Sequence, residues 1–228
     1  MDCVENYKNI KKTLPENVLL LAVSKTKPEE EIMKLYDFGC RDFGENKVQE
    51  LSKKYEVLPK DIRWHQIGHL QTNKIKYIIP FVYMIHSIDS LKLAEEVNKQ
   101  AAKHGRIVNC LLQIKVAEEE TKFGFSPEEI IGLFDSGVFA SLNNIKLCGL
   151  MAMATNTDDE EEILKEFSAV KNLYNLLRIN YQVGEEFKEI SMGMSGDYPL
   201  AVKEGSTIVR LGSTIFGERD YSQKNGEV

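Results

Sequence analysis

Several protein classes are excluded by what this chain has little of. It carries four cysteines in 228 residues, and no two stand in a Cys-x-x-Cys pair. Cys3, Cys40, Cys110 and Cys148 are scattered, two of them (Cys110, Cys148) inside apolar strand-like runs. They read as reduced thiols, not as a disulfide frame. Basic residues are the minority, 29 Lys and Arg against 35 Asp and Glu, for a net charge of -6. This argues against nucleic acid as a partner, since such binders show a basic face. It leaves room for a small anionic ligand, which needs only a local site. No apolar run reaches the length of a membrane span. The start Met1-Asp2 lacks the basic-then-apolar pattern of a signal peptide, so a cytoplasmic protein is expected. A glycine fingerprint after the first strand is also missing, because Ser24-Lys25-Thr26-Lys27-Pro28 stands there. An open doubly wound sheet would want one, which makes that fold the runner-up.

What is present is alternation. After a polar helix over Asp2–Thr13, strands are predicted at Val18–Ser24, Asp42–Phe43, Arg63–Ile67, Val82–His86, Ile107–Lys115, Lys146–Leu150, Phe187–Ser191 and Thr207–Arg210. Between them lie helical stretches at Pro28–Phe38, Lys47–Tyr55, Asn73–Ile79, Ser90–Lys103, after the cap Ser126, Asp158–Ile179 and Tyr198–Glu204. Ser126 and Glu129 stand at capping-box spacing, and Ser87 to Asp89 read as the cap of the Ser90 helix. Eight strands separated by helices and short connections predict an α/β fold, a single-domain (β/α)8 TIM barrel over 1–228 with an extra N-terminal helix. The acidic run Asp158 to Glu162 reads as a solvated helix start favoured by the helix dipole, not as a metal site.

In such a barrel, functional groups gather at the carboxyl ends of the strands. Lys25 ends the first apolar run. Burial disfavours a charged lysine. That cost suits an amine that must be neutral to attack a carbonyl, although a strand-end lysine can also snorkel to solvent. Lys27, next to Pro28, is the fallback nucleophile. After the last two strands come Ser191-Met192-Gly193-Met194-Ser195-Gly196-Asp197 and Arg210-Leu211-Gly212-Ser213-Thr214. Barrels often bind phosphate in these loops. Gly193, Ser195, Gly212, Ser213 and Thr214 provide approachable backbone and hydroxyls, and Arg210 a cation; the alternative is that the glycines only make tight turns. A phosphate cradle opposite a lysine suits pyridoxal 5'-phosphate, whose aldehyde forms a Schiff base with lysine. His65 and His69 read as packed or hydrogen-bonded histidines of strand three, without a metal-spaced partner set. Asp197 reads as the cap of the next helix, and Met151, Met153, Met192 and Met194 as gap-filling core as much as a soft wall.

These segments, with Phe43-Gly44-Glu45-Asn46, Trp64-His65-Gln66-Ile67-Gly68-His69, Lys122-Phe123-Gly124-Phe125 and Gly149-Leu150-Met151, span nearly the whole chain. Together they resemble the pyridoxal phosphate homeostasis family, single-domain relatives of the alanine racemase N-terminal barrel with a fold-type III cofactor site. The resemblance implies Lys25 as the Schiff-base lysine and Asn46 as a neighbour of the cofactor. It implies Ser191, Met194, Ser195, Arg210, Gly212 and Ser213 as the residues that hold ring and phosphate. One departure lies at Met153-Ala154-Thr155-Asn156, where relatives often carry a proline. The implied role is holding the cofactor with little or no turnover, as a monomer making transient contacts with apo-enzymes. The alternatives are an amino-acid racemase and a lysine-dependent aldolase acting on a sugar phosphate.

Overall fold

The computed structural model describes residues 2–116, 123–181 and 183–217. Eight parallel strands close into a barrel in the order β1 to β8. They are β1 (Leu19–Val23), β2 (Asp42–Glu45), β3 (Arg63–Gln66), β4 (Met84–Ile88), β5 (Val108–Ile114), β6 (Ile145–Ala152), β7 (Glu189–Ser191) and β8 (Ile208–Leu211). Closure is made by β1 on β8, with Leu21 opposite Arg210. The helices are α1 (Cys3–Thr13), α2 (Glu29–Asp37), α3 (Val48–Val57), α4 (Ile75–Ile78), α5 (Leu91–Lys103), α6 (Pro127–Asp135), α7 (Glu160–Asn180), α8 (Tyr198–Lys203) and α9 (Ser213–Phe216).

Side chains alternate between the two faces of a strand, and the core divides accordingly. Leu20, Ala22, Phe43, Trp64 and Val209 face the helical ring in one large cluster. Leu21, Met84, Leu111, Cys148, Met151 and Ile208 form a second cluster inside the barrel. On β1 the inward phase runs Leu19, Leu21, Val23 and so reaches Lys25. On β8 it runs Ile208, Arg210. The pleat that buries leucine at the bottom therefore delivers Lys25 to the mouth.

Local chemistry sets the helix starts. The Asp2 carboxylate accepts from the Val4 amide at 3.1 Å and starts α1. Ser126 and Glu129 form the reciprocal capping box expected of them. Several expectations are corrected, among them the seventh strand, which begins at Glu189 and not at Phe187. The fourth strand begins two residues later than predicted, because the Val82 amide still closes a helical turn on Ile78 O (2.8 Å) and Arg106 takes the Val82 carbonyl. Ser87 then belongs to β4, where its hydroxyl donates to Gly68 O, and Ser90 alone supplies the cap of α5. The sixth strand runs on to Ala152, paired with Ile114 of β5. The one-turn α9 was not foreseen.

Candidate functional site

The site is assembled at the carboxyl ends of the strands. Lys25 stands two residues past the end of β1 and is half-buried. The turn that carries it is constrained. Thr26 has φ 66°, in the left-handed region, where a β-branched residue is strained. Its amide donates to Glu50 Oε1 at 2.6 Å. Beneath it lies a buried charged set. The fully buried Glu45 carboxylate accepts from the Ser24 hydroxyl (2.6 Å) and from Lys54 Nζ (2.7 Å). Lys54 also donates to Ser24 O (2.8 Å) and pairs with Glu50 (2.7 Å). Glu45 Oε2 has no hydrogen-bond partner. Burial pushes the Glu45 carboxyl up to about 7, against the opposing pull of Lys54. These groups fix both sides of the lysine's peptide, from α3 and the end of β2.

Lys27, the fallback nucleophile, is placed elsewhere. Its amine donates to Phe216 O at 3.0 Å and lies 3.9 Å from Glu31. Asn46 is half-buried just past β2, and its carbonyl accepts from Gln66 Nε2 at 2.9 Å.

Across the mouth, the loops after β7 and β8 meet. Ser213 Oγ and Ser195 Oγ are 3.0 Å apart, and the Thr214 amide points to Ser195 Oγ at 3.5 Å. Exposed hydroxyls and a helix-start amide thus converge next to Gly212. Gly193 has φ 96°, and a Cβ there would stand 2.6 Å from Ala201 Cβ, so glycine is required for the loop to pack on α8. Met194 is 39 % exposed, and its amide donates to Asp197 Oδ1 at 2.5 Å. Asp197 stands at the N-cap position of α8 as expected, but its carboxylate is spent on that loop amide and not on the helix.

Arg210 was expected beside these hydroxyls. Its guanidinium turns into the barrel instead, where Nη1 donates to Ser191 O (2.7 Å) and Ser191 Oγ (2.8 Å), and Nη2 to Ala152 O (2.9 Å). It is 5 % exposed, and among the described residues no carboxylate pairs with it. Burial lowers its pKa to about 10, with Asp197 opposing, so it remains a cation at neutral pH. A buried cation without a counter-ion is costly unless an electron-rich ligand completes it.

From Ser191 a buried polar chain crosses the lumen. Ser191 Oγ lies 2.9 Å from His86 Nδ1, His86 Nε2 lies 2.9 Å from His65 Nδ1, and His65 Nε2 lies 3.2 Å from Asp42 Oδ1. Arg63 closes it with a two-pronged contact to Asp42. Burial alone would raise the Asp42 carboxyl, but the hydrogen bonds from His65 and Arg63 outweigh it and bring it to about 2. His65 is the hydrogen-bonded histidine expected. His86, Asp42, Glu45 and Lys54 were not singled out. The available signal for His86 was a polar residue in phase with inward-facing Met84. His69 sits at the rim, stacked on Phe123 with centroids 3.9 Å apart and 2.9 Å from Asp89. Lys122 lies outside the described residues.

A surface cavity of about 500 Å3 lies at the amino ends of β5 to β7 and is lined by Ile107, Phe134, Phe139 and Phe187. None of the expected site residues lines it, and barrel chemistry belongs to the opposite face.

A barrel with a lysine just past its first strand and paired hydroxyls after its last two defines a class of protein. The family model for the alanine racemase N-terminal domain matches residues 3–220. The chain is 42 % identical over 203 residues to the pyridoxal phosphate homeostasis protein of Aquifex aeolicus, covering 89 % of this chain and 87 % of that one. It is 39 % identical over 215 residues to the human protein of that name, covering 90 % and 78 %. It therefore belongs to the pyridoxal phosphate homeostasis protein family. Among solved structures, PipY of Synechococcus elongatus with PLP bound superposes with TM-score 0.87 at 34 % identity, over 94 % of this chain and 100 % of that one. Alanine racemase of Clostridium difficile shares the fold alone, at 18 % identity and TM-score 0.74 over 96 % of this chain and 56 % of that one.

Proposed function

We propose that this chain, as a single barrel unit, binds pyridoxal 5'-phosphate at the mouth and serves in its homeostasis with little or no turnover. Arg210, buried below the mouth with no carboxylate paired to it among the described residues, is the observation that carries the reading, because such a cation favours an anionic or electron-rich ligand beside it. Ser195, Gly212, Ser213 and the Thr214 amide would hold the phosphate. Arg210 and Ser191 would supply positive charge and hydrogen bonds from below, with Asn46 and Met194 at the flanks. Lys25 would be the amine that takes up the aldehyde, and the cofactor when bound supplies the electron sink.

The protein's own contribution is orientation. Glu45, Lys54 and Glu50 hold the turn around Lys25, and Asp197 holds the Met194 loop. Racemisation would need a second acid–base group on the face opposite the lysine. Two residues that could be asked to fill that role are engaged elsewhere: His65 has both ring nitrogens in the lumen chain, and Asp197 is turned to an amide. An aldolase would need no cofactor. The deciding experiment is the absorbance spectrum of the purified protein loaded with pyridoxal 5'-phosphate, before and after borohydride. A visible band lost on reduction, with label on Lys25, is expected. No band, or label on Lys27, would overturn the assignment.

A further inference from the structure

The Asp42–His65–His86–Ser191–Arg210 chain carries a direction. A carboxylate can only accept and a guanidinium can only donate. With both imidazoles neutral, His65 Nε2–H donates to Asp42. His65 Nδ1 must then accept, so His86 donates from Nε2. His86 Nδ1 is left as an acceptor and takes the Ser191 hydroxyl proton. Ser191 Oγ then offers its lone pairs to Arg210. Every donor meets one acceptor, and the hydroxyl orientation at the floor of the site is dictated from Asp42, on the other side of the lumen. Burial above all holds His86 well below the ordinary histidine range, in keeping with a neutral ring. His65, His86 and Ser191 have no exposed surface, so water cannot reorient them. The same part of the lumen could have been filled with apolar side chains, as its neighbours Leu21, Met84, Met151 and Ile208 fill theirs; buried polar chains are costly unless complete.

We propose that His65 and His86 are positioning residues which impose one hydrogen-bond direction on Ser191, and through it hold Arg210 in the pose that receives the cofactor. This rests on the cofactor-binding reading above, and two measurements separate the two. The first needs no cofactor. Ring 15N NMR of the labelled, cofactor-free protein is expected to show the ring proton of each of His65 and His86 on Nε2. A proton on His86 Nδ1 would overturn the proposal. In Asp42→Asn the amide can donate as well as accept, and the His86 ring signals are expected to shift toward a tautomer mixture; unchanged signals would also overturn it. Should that variant fail to fold by circular dichroism, Ser191→Ala asks the same from the other end. His86 Nδ1 is then expected to move while His65 keeps its proton on Nε2, and an unmoved His86 Nδ1 counts against the proposal.

The second is titration with pyridoxal 5'-phosphate. If the wild-type protein does not bind it, the underlying reading fails while the NMR result still decides the chain. If it binds, His86→Asn keeps an acceptor where Nδ1 stood, whereas His86→Gln places its amide where Nε2 stood and leaves Ser191 without one. Loss of one oriented hydrogen bond predicts a dissociation constant about three- to tenfold higher for the Gln variant, with the Asn variant closer to wild type. Equal constants for the two would mean the histidine only fills space, and would overturn the proposal.

Discussion

Replacing Glu45 by Gln removes a charge from a fully enclosed site while keeping the side chain's shape. In the folded protein burial raises this carboxyl from 4.5 to about 7. The folded state therefore holds a proton that the unfolded chain releases, and stability falls as pH rises through this interval. The rise corresponds to about 3 kcal/mol, gained by wild type below pH 4.5 and lost by about pH 7. Glu45→Gln cannot titrate. Its stability relative to wild type should accordingly improve by about 3 kcal/mol between pH 4 and pH 8. Asp42 acts in the opposite sense, its pKa lowered to about 2, so its contribution is lost only in acid below about pH 4 and is common to both proteins. Urea unfolding of both at pH 4, 5, 6, 7 and 8 measures the difference directly. A difference that stays flat, or that favours wild type more as pH rises, would refute the reasoning. A variant with Lys54 removed gives the converse check: Lys54→Met leaves Glu45 without its ammonium and should cost about 3–5 kcal/mol at pH 8.

Lys25→Ala is expected to remove the borohydride-sensitive absorbance while leaving the circular dichroism unchanged; surviving label elsewhere would show the lysine to be misassigned. Arg210→Ala should raise the dissociation constant for pyridoxal 5'-phosphate about ten- to hundredfold, from a charge-assisted contribution of roughly 1.5–3 kcal/mol, with Ser213→Ala weaker in the same direction by apo-protein titration. Gly149→Ala should fail to fold or lose several kcal/mol, because its φ is 146° and a Cβ would lie 1.8 Å from Glu189 O, between β6 and β7; a thermal midpoint equal to wild type would contradict the packing. With L- and D-alanine, deuterium wash-in at the α-carbon followed by chiral analysis is expected to show no inversion near 1 per second, the order of an ordinary enzyme.

The strand count and order could be read in advance because β1, β5 and β6 are largely apolar runs and the polar β2 and β3 are marked by Gly44 and Gly68. β4 slipped because Val82 looks as apolar as Met84, and only the tertiary bond from Arg106 shows that it ends the preceding turn. Lys25 and the Ser195–Ser213 pair were accessible because strand phase and glycine-hydroxyl loops are local signals. The Glu45–Lys54 pair was not, since its members stand on separate elements and each alone looks like a surface charge. Arg210 was given to the right strand end but the wrong depth. Side-chain direction along β8 depends on what Ser191 and Ala152 offer from β7 and β6, and no local pattern carries that.

The apolar plug of Leu21, Met84, Leu111, Met151 and Ile208 has a logistical consequence. It fills the lumen between these strands, so a ligand held at the mouth would have one doorway, and arrival and departure would take turns at it. A receiving protein that settled over that doorway would bar reloading until it left. On the proposed reading, exchange at this opening would run as at a valet stand and not as through a pipe, one cofactor in and the same cofactor out.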